Sequence, residues 1–535
     1  MNGKPTSPFG PAALKARSRT SILPMDSCAA PVELFERLSR HRRGRGAVLM
    51  ESAAQGAPAG VRSLVIPEGL IRLVIRGSTA SYSPLTPRGV PLIESLTGRL
   101  PKTESREDSV VARFPDFDKN PALPDAERVR AASVLDGVRA LAGLVEDEEP
   151  DEDLLPPGLY GAFSYEAVDL WEELPPRRPD PLGEPDANFV FALDAISFDH
   201  VRGEVRVVTR SPVGPRHRGN RDEEERHRFY VEALEKNGSP PDNFGDRVAP
   251  EKDAEPDVSD EAFKSSVEKF LSHVLAGDIF QGVLSRGLWM ESTAPPLAVY
   301  RALRSRNPSP YMFYVDLGDG ELLGASPETC LKVERGEVMI RPIAGTAPRG
   351  LGPDGRIDEE LDARLAVSLI LDTKEQAEHA MLVDLARNDV ARVSVPGTRQ
   401  VTEPFSVEKY SHVQHLVSGV KGTLLPGLDA LHAYVASANM GTLTGAPKLR
   451  AMELIRETEP SARGYYGGAV GYLLQDGTFD SCIVIRTLRH RDGKYLTRTG
   501  AGIVADSIPE KELEETIHKA RACRVAISLA EGRQA

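Results

Sequence analysis

Apolar positions recur along this chain in two rhythms. Between Asp260 and Ala276 they fall at Phe263, Val267, Phe270, Leu271 and Val274, the spacing of a single helical stripe. Elsewhere the apolar runs are short and β-like. Ala47–Glu51, Phe189–Leu193 and a run beginning at Gly161–Tyr165 are such segments in the first half. Met312–Asp316, Ser481–Thr487 and Lys494–Thr499 are their counterparts in the second. Helical and β-like stretches alternate between Gly-containing turns, which predicts an α+β fold. Regular patterning starts near Pro31, and Lys236–Asp257, rich in Pro, Gly, Asn and Asp, reads as a linker. Three segments are expected: a disordered extension over 1–30, a mixed N-terminal domain over 31–240, and a C-terminal domain over 255–530. The short linker predicts that the two domains pack as one body. No repeat of 20–50 residues is visible.

One helical segment departs from the apolar rhythm. Asp372–Asp389 opens on a capping-box variant, Asp372 followed by Glu375, and runs through the apolar stretch Ala380–Val383, which predicts a largely buried helix. Glu375 and Glu378 stand three residues apart and project together. Two carboxylates on a buried face repel and lose hydration, so they call for a cation. A second helix repeats the arrangement. Ser507, Pro509 and Glu510 form another predicted capping box, followed by Glu512 and Glu515 at the same spacing, with Lys519 four residues on. Glu515 and Lys519 also have the spacing of a surface ion pair. If the two acidic pairs meet, an all-carboxylate site without His or Cys suits Mg²⁺.

Other polar positions stand out. Glycines in Gly500-Ala501-Gly502, at a strand end, can offer backbone N–H groups to an anion, although most such pairs are plain turns. Arg486, at the end of an apolar strand, is either a bidentate carboxylate grip or a structural ion-pair partner. Gly345-Thr346 and Gly441-Thr442 interrupt apolar surroundings, and His412 and His415 are either satisfied core residues or functional ones. The chain has neither a Walker-type phosphate loop nor a Gly-x-Ser-x-Gly elbow.

Composition narrows the function class. The 535 residues are 40% hydrophobic and 27% charged, with a formal net charge of -13, which argues against a nucleic-acid partner. The basic run Ser39–Gly46 is read as a solvated helix end, and the acidic block Glu146–Asp153 as a solvated loop. Cys28, Cys330, Cys482 and Cys523 are scattered, as expected of free thiols in a reducing compartment. No apolar run is long enough for a membrane span. Residues 1–25 are basic and lack acids, which fits a plain extension of a cytoplasmic protein, with an organellar transit peptide as the other reading.

Taken together, these pieces resemble the chorismate-utilising enzymes, and within them the large subunits of anthranilate synthases. The resemblance rests on Gly277-Asp278-Ile279-Phe280-Gln281, Leu284-Ser285-Arg286, Ala325-Ser326-Pro327-Glu328-Thr329 and Arg341-Pro342-Ile343-Ala344-Gly345-Thr346. It continues through Glu375–Asp389, Gly441–Lys448, Asp480–Thr487 and Gly500–Ser507, in the family's order. It implies two mixed or antiparallel sheets packed as a sandwich with helices outside. It also implies a Mg²⁺ site, with Glu378 and Glu515 as direct ligands and Glu375 and Glu512 bridged through water. Tyr466, Arg486 and the Gly502 amide match residues that hold the enolpyruvyl carboxylate of chorismate, with Gly500, Lys519, Gly345 and Thr346 close by. Glu328 matches the general acid that protonates the departing hydroxyl. His415 matches a histidine implicated in pyruvate elimination, and Gln281 and Thr442 complete the implied catalytic set.

Two positions sort the family's members. Gln281 stands where isochorismate and salicylate synthases carry a water-activating lysine, and Ala344 where aminodeoxychorismate synthases usually carry an attacking lysine. Neither residue present can play that part, so ammonia is the implied nucleophile and anthranilate the implied product. No cysteine has a Gly-x-Cys-x-Gly setting, so ammonia from glutamine implies a separate amidotransferase subunit, in a heterotetramer of two large and two small subunits. Aminodeoxychorismate synthesis and a non-catalytic regulator are the alternatives. Leu49-Met50-Glu51-Ser52 with Asn307, Pro308, Ser309, Pro310, Tyr311 and Met312 resembles the tryptophan pocket of feedback-inhibited members, with Glu51 facing the ligand's ammonium. Gly282, Ala347 and Ala391 depart from the family's usual residues.

Overall fold

Alternation along single strands sorts this molecule into layers. In Val48–Glu51, Val48 enters one apolar cluster and Leu49 another, and in Tyr311–Asp316 Phe313 and Val315 join the first while Met312 and Tyr314 join the second. The first cluster adds Tyr160, Ala162, Val190, Val470 and Cys482 from a different sheet, so it is the layer between two sheets. The second lies on the outer face of the first sheet, under helices Pro31–Ser39, Pro296–Arg306 and Pro509–Glu531. A third cluster covers the outer face of the second sheet, where Ala430–Ser437 and Thr373–Ala391 pack.

The computed structural model describes residues 8–10, 12, 14–39, 45–52, 62–119, 125–151, 153–213, 221–235, 244, 249–352, 356–410 and 413–532. Among them each sheet has 13 strands and is largely antiparallel. At its centre the first sheet runs Gln281–Glu291, Lys494–Ile503, Thr487–Arg491, Glu321–Ser326, Tyr311–Asp316, Val48–Glu51 and Arg62–Ile66. The second runs Ile343–Pro348, Val413–Thr423, Glu337–Ile340, Thr329–Glu334, Phe479–Ile483, Ala469–Leu474 and Gly158–Phe163 before continuing into first-half strands. Both sheets therefore pass without a break from second-half to first-half strands, at Phe313 opposite Met50 and at Gly471 opposite Gly161. The expected sandwich with outer helices is present. The expected division at the linker marks order along the chain, not separate sheets.

Three local expectations are corrected. Residues 1–30 are not a disordered extension throughout: Leu14–Pro24 is an 11-residue strand, antiparallel to Glu204–Pro212 and parallel to Val145–Asp147. It is mostly exposed, with Ala16 buried, so it lacks the period-two signature. Backbone pairing and surface ion pairs such as Arg17–Glu148 at 3.0 Å hold it. The acidic block Glu146–Asp153 is not all loop, because Asp147 is buried and grips the fully buried Arg210 through both oxygens at 2.7 and 2.9 Å. The strand expected over Ser481–Thr487 ends at Ile483, since Arg486 turns the chain with a φ of 50°. Most of the basic run Ser39–Gly46 lies outside the described residues, as does His412.

Candidate active site

The two acidic helices form where expected, as Thr373–Ala391 and Pro509–Glu531. Asp372 caps the first by accepting from the amides of Lys374 and Glu375 at 2.9 and 3.1 Å. Glu375 does not reach back to close a capping box. Its carboxylate rests on the strand Ile343–Pro348, where Gly345 makes room: a Cβ added to Gly345 would stand 2.9 Å from Glu375 Oε2. The capping box expected at Ser507 is absent too. Ile508 is the cap residue, and the Ser507 hydroxyl instead accepts from the Val504 amide at 3.1 Å. The first helix is also less buried than expected, with Ala380 exposed and both Glu375 and Glu378 half-buried.

Electrostatics place the helices face to face. Partial burial raises the pKa of Glu375, and the charges of Glu378, Asp372 and, from the other helix, Glu515 raise it further. Glu512 is likewise raised by partial burial and by Glu515, while Lys374 of the opposite helix lowers it. Glu378 lies 3.7 Å from Lys374, and Glu515 lies 2.6 Å from Lys519. Among the described residues no three His, Cys, Asp or Glu side chains are drawn close enough to hold a metal. The four glutamates thus share one electrostatic neighbourhood and are not gathered into a ligand cluster.

The remaining predicted groups form a chain of neighbours between these helices. Glu328 is buried, its Oε1 has no partner, and burial pushes its pKa up to about 8, against opposing effects of Thr442, Lys519 and Arg486. At neutral pH it carries a proton it can donate. His415 is also buried. Its Nδ1 lies 3.0 Å from the Gly345 carbonyl and 3.0 Å from Thr346 Oγ1. A carbonyl only accepts, so Nδ1 holds the hydrogen, and Nε2, which has no partner, carries a free lone pair. Burial drives the His415 pKa down to about 4, and the nearby Arg486 charge adds to that. Arg486 is half-buried, makes no side-chain hydrogen bond or ion pair within the described structure, and acts electrostatically on Glu328, His415 and Tyr410. An unpaired guanidinium beside a proton donor and a neutral imidazole is an anion site.

The strand Lys494–Ile503 supplies the opposite wall. Lys519 donates to the Gly500 carbonyl at 2.9 Å. A Cβ on Gly500 would meet the Tyr466 hydroxyl at 2.7 Å, and one on Gly502 would meet Gln281 Nε2 at 2.8 Å. Both glycines are therefore points of close approach. Gln281 Oε1 is buried without a partner, and the buried Thr442 hydroxyl faces the Glu328 carboxyl, whose pKa it lowers. Beneath Tyr466, the Arg463 guanidinium lies 5.7 Å from its ring. Sequence reasoning missed Arg463, Lys374 and Tyr410, whose ring stands edge-on to His415 at 5.6 Å. None lies in a pattern that singles it out. Arg498, beside the glycines, is held by Asp257 at 2.7 Å and is structural.

The residues expected around an effector come together at a second place. Glu51 pairs directly with Met312 across adjacent strands. Its buried carboxylate is already engaged, by the Tyr300 hydroxyl at 2.7 Å and by Arg304 Nε at 3.0 Å. Ser52 Oγ is buried without a partner, and Ser309 donates to the Asn307 carbonyl at 3.1 Å. Pro310 and Tyr311 line a small hollow of about 10 Å³ with Thr329, Arg341 and Tyr410. The Tyr311 side chain does not face Glu51, because it points into the gap between the sheets.

Comparisons with known proteins identify the family of the chain. A family model described as chorismate binding enzyme matches residues 108–524. The chain is 39% identical over 508 residues to anthranilate synthase component 1 of Escherichia coli (strain K12), covering 94% of this chain and 95% of that protein. It is 46% identical over 390 residues to the component 1 of Thermus thermophilus, covering 72% and 80%. The crystal structure of anthranilate synthase component I from Streptococcus pneumoniae superposes with a TM-score of 0.68 at 31% identity, covering 88% of this chain and 93% of that one. This chain belongs to the family of chorismate-binding enzymes.

Proposed function

We propose that this chain is the synthase subunit of an anthranilate synthase, converting chorismate and ammonia to anthranilate and pyruvate. The observation that carries this reading is the pairing of a protonated Glu328 with an unpaired Arg486 and a neutral His415, in a site whose two nucleophile-specifying positions are Gln281 and Ala344. Chorismate is a dianion. Arg486, with Tyr466 and the Gly502 amide beside it, takes the enolpyruvyl carboxylate. Glu328 gives its proton to the ring hydroxyl, which leaves as water while ammonia adds to the ring carbon next to the carboxylate-bearing one. His415 Nε2 is placed to take the proton from that carbon. The enolpyruvyl C–O bond then breaks and pyruvate departs, leaving an aromatic ring.

The donor set of Glu375, Glu378, Glu512 and Glu515 is all oxygen and mutually repelling, which fits Mg²⁺. Glu378 and Glu515 are each paired with a lysine of their own helix, Lys374 at 3.7 Å and Lys519 at 2.6 Å. When bound, Mg²⁺ supplies charge neutralisation for the ring carboxylate.

A partner is part of the reading. All four cysteines are buried, and burial raises the thiol pKa of Cys330 to about 12 and of Cys523 to about 11. In this reading an amidotransferase subunit supplies the ammonia from glutamine, and the relatives' designation as component 1 supports it. Feedback inhibition by tryptophan through Glu51, Ser52, Asn307–Pro310 and Met312 completes the proposal. Purified chain with chorismate, Mg²⁺ and ammonium salt should produce the fluorescence of anthranilate, and glutamine in place of ammonium should produce none. Fluorescence with glutamine alone refutes the need for a partner. Its absence with ammonium refutes the activity.

A further inference from the structure

Tyr311 opens a strand whose two faces look onto different parts of the molecule. Met312 lies on the outer face, opposite Glu51 and in the same cluster as Tyr300. One residue earlier, Tyr311 points the other way, into the gap between the sheets. Its hydroxyl lies 3.0 Å from Thr329 Oγ1 and 3.1 Å from Asp480 Oδ1, to which it donates. Both partners belong to the second sheet. Thr329 directly follows Glu328, and Asp480 lies in Phe479–Ile483, the strand that leads to Arg486. The amide of Ile483 in turn donates to the Glu328 carbonyl at 3.0 Å. One phenolic hydroxyl therefore ties the strand of the effector residues to both strands that deliver the proton donor and the anion grip.

The strands that meet at this hydroxyl are not regularly paired. The register between Thr329–Glu334 and Phe479–Ile483 slips between Thr329 and Leu331. Next to the Tyr311–Thr329 contact lies a small, partly open hollow of about 10 Å³, lined also by Tyr410, the ring edge-on to His415.

From this geometry we infer that Tyr311 is a positioning residue: its hydroxyl sets the placement of Glu328 and Arg486, and occupancy of the effector pocket acts on catalysis by moving it. The inference rests on the proposed tryptophan site. Ligand on the Glu51 face displaces the Tyr311–Met312 end of the strand, and the hydroxyl carries that displacement to Thr329 and Asp480.

The test measures tryptophan binding by calorimetry and ammonium-dependent turnover separately, for the wild type, Tyr311→Phe and Thr329→Val. The wild type should bind tryptophan and lose more than nine-tenths of its turnover at saturation. Tyr311→Phe should bind tryptophan within about threefold of the wild type, yet keep more than half of its own tryptophan-free turnover at saturation. Its tryptophan-free kcat should fall by about three- to tenfold with KM for chorismate changed by less than twofold. Thr329→Val, which removes the other end of the contact, should behave alike and serves if Tyr311→Phe does not fold. Full inhibition of both variants overturns the coupling alone, as does loss of tryptophan binding together with inhibition. A wild type indifferent to tryptophan overturns both the effector reading and the coupling.

Discussion

The carboxylate of Glu375 rests on the backbone of Gly345, so closely that a Cβ there would stand 2.9 Å from Oε2. The same Gly345 accepts the Nδ1 hydrogen of His415 through its carbonyl. One glycine therefore adjoins both the acidic helix and the imidazole.

Gly345 also has a φ of +65°, where a side chain is strained. Gly345→Ala should lower unfolding stability by about 1–2 kcal/mol and raise the Mg²⁺ concentration needed for half-maximal turnover. Denaturant titration and a Mg²⁺ titration measure the two effects. An unchanged Mg²⁺ response would show that Glu375 has no part in the metal site.

Glu328 must hold a proton to act as the acid, and its pKa stands at about 8. At constant free ammonia, turnover should be flat below that pH and fall as pH rises through it. Glu328→Gln should remove this alkaline limb and lower kcat by about 10²- to 10⁴-fold. An alkaline limb that persists in the variant belongs to another group.

His415 stays neutral down to about pH 4, so the pH–rate profile should show no acid limb near 6.5 from this residue. Stability carries the same signature. Unfolded, the imidazole binds a proton below about 6.5, and folded only below about 4, so stability is lost as pH falls across that window. The slope from one such site is at most about 1.4 kcal/mol per pH unit. His415→Gln should flatten the fall in unfolding stability between those values. It should also leave an aminated, pyruvate-bearing product detectable by mass spectrometry.

Much of this site can be read along the chain because its residues sit on regular elements. The stripe at Phe263, Val267 and Phe270 and the Glu375–Glu378 spacing mark helices Asp260–Leu275 and Thr373–Ala391 almost to their ends. What could not be read depends on contacts between distant segments. Leu14–Pro24 is held by a strand nearly two hundred residues away and buries little of itself. Arg304 closes on Glu51 across 253 positions, and Ser507 prefers the amide of Val504 to a capping role for reasons of loop geometry. The interleaving of both halves in each sheet is likewise a long-range pairing that no local pattern records.

The metal reading has a test that does not involve turnover. A ligand that binds the folded chain alone raises its melting temperature with concentration. Mg²⁺ should do so for the wild type and not for Glu378→Gln combined with Glu515→Gln. An equal shift in both proteins would place the ion elsewhere.

Isotope labelling tests the central claim most directly. Incubated with chorismate, Mg²⁺ and ¹⁵N-ammonium, the purified chain should release pyruvate and anthranilate carrying one ¹⁵N per molecule, as read by mass spectrometry. Isochorismate carrying oxygen from solvent water, or a product aminated at the ring carbon that bore the hydroxyl, would contradict it.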